Sequence, residues 1–93
     1  VPALYGLSAQ VSNSLVSDGC ILRGRVENSI LSRGVVVGEG CRIRNSIILQ
    51  DTRIGDGTML DYAILDKNVT IGKQREIKGL PQYPAYIRKR SVI

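Results

Sequence analysis

Large aliphatic residues recur along this chain at every fifth or sixth position, and the whole arrangement repeats with a period of 17 residues. Residues 31–47 (LSRGVVVGEGCRIRNSI), 48–64 (ILQDTRIGDGTMLDYAI) and 65–77 (LDKNVTIGKQREI) align without gaps. Upstream, VSNSLV at 11–16 and VENSIL at 26–31 match at a spacing of 15, so the first turn is two residues shorter. Three aliphatic columns result: Leu31, Ile48 and Leu65; Val37, Ile54 and Ile71; and Val26, Ile43, Leu60 and Ile77. A helix with 17 residues per repeat would carry several apolar stripes, and a hairpin array would reverse alternate strands and break ladders of like residues. Parallel stacking of like on like, as in solenoids, satisfies all three columns. The expected fold is all-β: a single-stranded parallel β-helix of hexapeptide-type coils, with three faces per turn.

The residues between the columns are corner formers. Gly19, Gly34, Asp51 and Asn68 share one column, and each type tolerates a left-handed backbone. Gly38, Gly55 and Gly72 share another, with Gly40 and Gly57 two residues further on. Val35, Thr52 and Val69, like Cys41 and Thr58, are smaller inward residues. Asn28 and Asn45, each followed by Ser, mark the third corner, where stacked amides can bond along the axis. At the third full turn Gln74 replaces a corner Gly and Arg75 falls in the column of Cys41 and Thr58, so the coil is expected to unwind near residue 74. The expected organisation is coils over residues 1–77, then a loop and capping strand over 78–93, with Tyr86–Val92 covering part of the open end.

Composition narrows the functional classes. The chain is 43% hydrophobic yet has no Phe, Trp or His, which suits a narrow interior lined by β-branched residues. Without His, neither a His-based acyltransferase site nor a His-ligated zinc site can be assembled from these residues. Cys20 and Cys41 have no metal-ligand spacing and read as reduced core thiols. Asp56, Asp61 and Asp66 are expected at solvated corners or outer faces, and Gly-Glu-Gly at 38–40 and Gly-Asp-Gly at 55–57 recur once per turn, as corners rather than phosphate loops. No catalytic residue, metal ligand or cofactor is expected in the fragment.

The net charge is +5, concentrated toward the C-terminal end. Arg42 and Arg44 flank Ile43 on an outer face, Lys67 sits in the corner LDKN, and Arg88, Lys89 and Arg90 form a basic run. Either a solvated surface or a site for a phosphorylated metabolite fits these positions, and spacing does not select between them. Nucleic acid is disfavoured by the absence of Phe and Trp stacking platforms, and a membrane by the absence of a spanning apolar run. Val1-Pro2 opens the chain without an initiator Met, so a fragment from the end of a larger, cytoplasmic protein is expected.

Residues 13–72 resemble the C-terminal domain of the glucose-1-phosphate adenylyltransferases (ADP-glucose pyrophosphorylases). SDGC at 17–20, VENSILSRGV at 26–35, NSIILQDT at 45–52 and ILDKNVTIG at 64–72 carry the likeness. ILQD and the closing YPAYIRKRSVI resemble the regulatory, catalytically weak subunit of bacterial glycogen biosynthesis (the GlgD type), with the catalytic subunit and other sugar-nucleotide pyrophosphorylases as alternatives. The resemblance implies a left-handed coil, against the usual right-handed crossover, which the period alone does not specify. It implies a nucleotidyltransferase domain elsewhere in the parent, using magnesium to turn ATP and glucose 1-phosphate into ADP-glucose and pyrophosphate. These residues would then supply contacts in a homo- or hetero-oligomer of pyrophosphorylase subunits and coupling to a sugar-phosphate effector. It carries effector-phosphate binding onto Lys67 and approximately onto Arg88, Lys89 and Arg90.

Overall fold

The computed structural model describes residues 1–93 and contains strands and turns only. The first turn holds β1 (Leu4–Tyr5), β2 (Gln10–Ser12) and β3 (Leu15–Val16); the second holds β4 (Ile21–Leu22), β5 (Arg25–Glu27) and β6 (Ile30–Leu31). The third holds β7 (Val36–Val37), β8 (Arg42–Arg44) and β9 (Ile47–Ile48), and the fourth β10 (Arg53–Ile54), β11 (Met59–Asp61) and β12 (Ala63–Leu65). The last comprises β13 (Thr70–Ile71), β14 (Glu76–Lys78) and β15 (Ala85–Ile87). Every third strand pairs in parallel, giving three five-stranded sheets: β1-β4-β7-β10-β13, β2-β5-β8-β11-β14 and β3-β6-β9-β12-β15.

The register superposes the aliphatic columns read from the sequence. Val37, Ile54 and Ile71 pair in turn, as do Val26, Ile43, Leu60 and Ile77, and Leu31, Ile48 and Leu65 are neighbours in the third sheet. Strands this short present one or two inward side chains each, and stacking them together with Cys20, Val35, Cys41 and Val69 from the connections builds a core of 15 buried apolar residues. The two missing residues of the early turn are localised: β4 and β5 are joined by Arg23 and Gly24 alone, where later turns use four residues such as Gly38–Cys41. A Cβ on Gly24 would lie 2.7 Å from the Cys41 carbonyl oxygen, so this tight corner admits only glycine.

The coil does not unwind at residue 74. Gln74 takes the left-handed conformation of the glycines it replaces (φ 54°), and β14 continues the second sheet. Arg75 costs little because no further coil lies over it: its position is exposed, and its backbone N–H donates to Thr58 Oγ1 at 3.2 Å. Residues 79–84 then enlarge the third corner, so β15 lies 22 residues beyond β12, with Ala63, Ile64 and Leu65 opposite Ala85, Tyr86 and Ile87. Val92 makes a final parallel bridge to Thr70. No helix is long and apolar enough to cross a membrane.

Candidate functional site: a basic corner and an asparagine groove

Two stacked corners bring the C-terminal cations together. Past β12 the chain turns through Asp66, Lys67 and Asn68, and past β15 through Arg88, Lys89 and Arg90. The backbone N–H of Asp66 donates to the Ile87 carbonyl and that of Arg90 to the Lys67 carbonyl, both at 2.9 Å. Asn68 and Arg90 occupy the same left-handed position (φ 56° and 63°), the column that begins with Gly19 and Gly34. Lys67 therefore sits one coil from Lys89, about 4.8 Å away at the backbone. Lys67, Arg88, Lys89 and Arg90 line one open groove of about 590 Å³ with Asp66, Asn68 and Tyr86. Four cations face a single carboxylate there, an arrangement that attracts anions.

Asp66 is more than a solvated acid. Its two oxygens accept from the Lys67 backbone N–H (2.7 Å) and from the Tyr86 hydroxyl. The Tyr86 hydrogen bond is the main cause holding the Asp66 carboxyl below its ordinary value, followed by the Lys67 N–H and the charges of Lys67 and Lys89. The same bond pushes the Tyr86 phenol upward. Tyr86 is not legible as part of the groove from sequence, because the 22-residue step into β15 breaks the 17-residue period that aligns everything earlier.

A second groove, about 620 Å³, follows the third corner along the axis. Asn13 Nδ2 donates to Asn28 Oδ1 at 2.7 Å, Asn28 Nδ2 to Asn45 Oδ1 at 2.6 Å, and Asn45 Nδ2 to Asp61 Oδ1 at 3.0 Å. Here the expectation of a solvated Asp61 is corrected: it is 8% exposed, with Arg44 Nη2 at 3.4 Å. The ladder turns onto Asp61 because Tyr62 occupies the next left-handed corner position (φ 51°) and offers no amide. Beside the amides run the outward side chains of the third sheet, Leu15, Ile30 and Ile47, which are exposed and carry no charge. Arg42 and Arg44, on the second sheet, line neither groove.

Residues 3–82 match the family described as GlmU-like, C-terminal hexapeptide. The chain is similar to glycogen biosynthesis protein GlgD of Bacillus subtilis (strain 168), at 57% identity over 95% of this chain and 26% of that protein. A glucose-1-phosphate adenylyltransferase of Clostridium beijerinckii is 56% identical over 41% of this chain and 10% of that protein. Among solved structures, perosamine N-acetyltransferase from Caulobacter crescentus aligns over 97% of this chain and 47% of its own at a TM-score of 0.41 and 16% identity. The chain thus spans about a quarter of the length of GlgD. With its parallel coils matched from the first turn into the last, the chain is a left-handed β-helix and belongs to the GlmU-like C-terminal hexapeptide family.

Proposed function

We propose that this chain is the assembly and allosteric module of a glucose-1-phosphate adenylyltransferase subunit, of the regulatory, catalytically weak kind, acting in cytoplasmic glycogen biosynthesis. The observation that carries this reading is the 57% identity to GlgD across 95% of the chain. The parent enzyme's chemistry, magnesium-dependent formation of ADP-glucose and pyrophosphate from ATP and glucose 1-phosphate, would take place in a nucleotidyltransferase domain outside these residues. The coil's part is mechanical and electrostatic. Its uncharged Leu15–Ile30–Ile47 stripe is suited to contact with another pyrophosphorylase subunit or another copy. Its basic corner, through Lys67, Arg88, Lys89 and Arg90, is suited to the phosphate of a sugar-phosphate effector.

The reading is tested with the full-length parent and a catalytic partner subunit. Co-purification is expected, with a change in partner activity on adding fructose 1,6-bisphosphate that Lys67→Ala and Lys89→Ala blunt. A parent that neither joins nor alters the partner refutes the regulatory role. Full adenylyltransferase activity of the parent alone would assign the same module to a catalytic subunit, in keeping with the Clostridium beijerinckii likeness.

A further inference from the structure

The contact between Asp66 and Tyr86 lies inside the basic corner, yet the backbone already holds the elements it joins. Strand β15 is fixed to β12 by the parallel register, by Ala85 N–H to the Tyr62 carbonyl and by Asp66 N–H to the Ile87 carbonyl, both 2.9 Å. Beyond it, Thr70 N–H donates to the Ser91 carbonyl and Ile93 N–H to the Thr70 carbonyl, each at 2.9 Å. The side-chain contact is thus not needed to place the cations. Among the residues lining the groove Asp66 is the one anion, set among Lys67, Arg88, Lys89 and Arg90. Tyr86 is 59% exposed, and its hydroxyl is a donor already directed at an anion in that groove.

We propose that Asp66 and Tyr86 form an exchangeable pair. In the free corner Asp66 is the resident counter-anion and receives the Tyr86 hydroxyl. When a phosphate dianion enters, the hydroxyl donates to a phosphate oxygen instead, while Asp66 stays and weakens the affinity by its charge. This rests on the reading that the corner takes a phosphorylated ligand, and it adds the residues that set its strength. Opposite signs follow for the two partners. At about 4 to 5 Å in water, one unit charge changes binding of another roughly fourfold, and binding of a dianion by about tenfold or more. Loss of one hydrogen bond to an anion weakens binding by about tenfold.

The test is a titration of the intact chain with inorganic phosphate at low ionic strength, followed by calorimetry and by tyrosine absorbance, which no Trp obscures. Asp66→Asn, which keeps an acceptor for Tyr86 and removes the charge, is expected to bind phosphate about tenfold more tightly. Tyr86→Phe is expected to bind about tenfold more weakly and to lose the phosphate-dependent tyrosine signal. Asp66→Ser is a second neutral variant, and matched thermal melts establish that each protein is folded. If the pair served only to fasten β15, Asp66→Asn and Tyr86→Phe would move affinity in the same direction, and the proposal would be overturned. An unchanged affinity in both would overturn it equally. Those outcomes, with Lys67→Ala still weakening phosphate binding, would leave the effector-site reading standing. Absence of saturable phosphate binding in the wild-type chain would remove both.

Discussion

Individual positions in this coil are occupied for reasons of hydrogen bonding as much as of volume. Cys41 and Thr58 stack in one column and do the same work: Cys41 Sγ donates to the Gly55 carbonyl at 3.0 Å and Thr58 Oγ1 to the Gly72 carbonyl at 2.9 Å. Burial is the main cause pushing both buried thiols, Cys20 and Cys41, above their ordinary value of 9.0. A thiol that holds its proton more tightly when folded gives stability that is complete below the unfolded value and is lost as pH rises through the folded one. Unfolding free energy is therefore expected to fall above about pH 9. Cys41→Thr should match wild type within about 1 kcal/mol at pH 7 and show a shallower alkaline decline in urea melts. The Asn ladder offers a second test, since Asn28 combines two amide bonds with a φ of 51°. Asn28→Gly should cost about 1 kcal/mol through the lost bonds, and Asn28→Ala about 2 kcal/mol because strain is added, both read by denaturant titration.

At the scale of the strand, the two faces carry different tasks. Ile43 of β8 is fully buried between Val26 and Leu60, so Ile43→Ala is expected to lose about 2 to 4 kcal/mol in the same assay. Ile47 of β9 points outward in the register of Ile30 and Ile64 and is 39% exposed. Ile47→Lys should leave stability within about 0.5 kcal/mol yet reduce self-association or partner binding in sedimentation experiments. Unchanged association would take the stripe out of the account. The second sheet contrasts with it: its outward column runs Glu27, Arg44, Asp61 and Lys78, alternating in charge, with Arg44 and Asp61 paired at 3.4 Å.

The molecule as a whole is quasi-one-dimensional, so each turn is supported mainly by its neighbours. The final turn covers Ile54, Leu60 and Leu65 from one end and builds the basic corner at the same time. Deleting residues 85–93 is thus expected to lower the melting temperature and abolish phosphate binding together, whereas Lys67→Ala should affect binding alone. At the other end β1, β2 and β3 are edge strands. Within residues 1–93, Tyr5, Val11 and Val16 align on one side with the buried Leu22, Val26 and Leu31.

The stacked columns, the three faces and the left-handed corner positions were legible in the residues because each coil repeats the same local chemistry in the same order. Periodicity also located the short early turn. The tertiary structure alone decided what the period does not cover: that Gln74 could turn the corner and carry the coil onward, that Asp61 on its outer face would be covered by Asn45 and Arg44, and that Tyr86 would meet Asp66. Each lies where like no longer lies over like, and for Asp61 and Tyr86 the deciding contact joins residues one coil apart. The four cations were individually visible in sequence. Their convergence required the 22-residue step from β12 to β15, a distance set by a loop that repeats nothing before it.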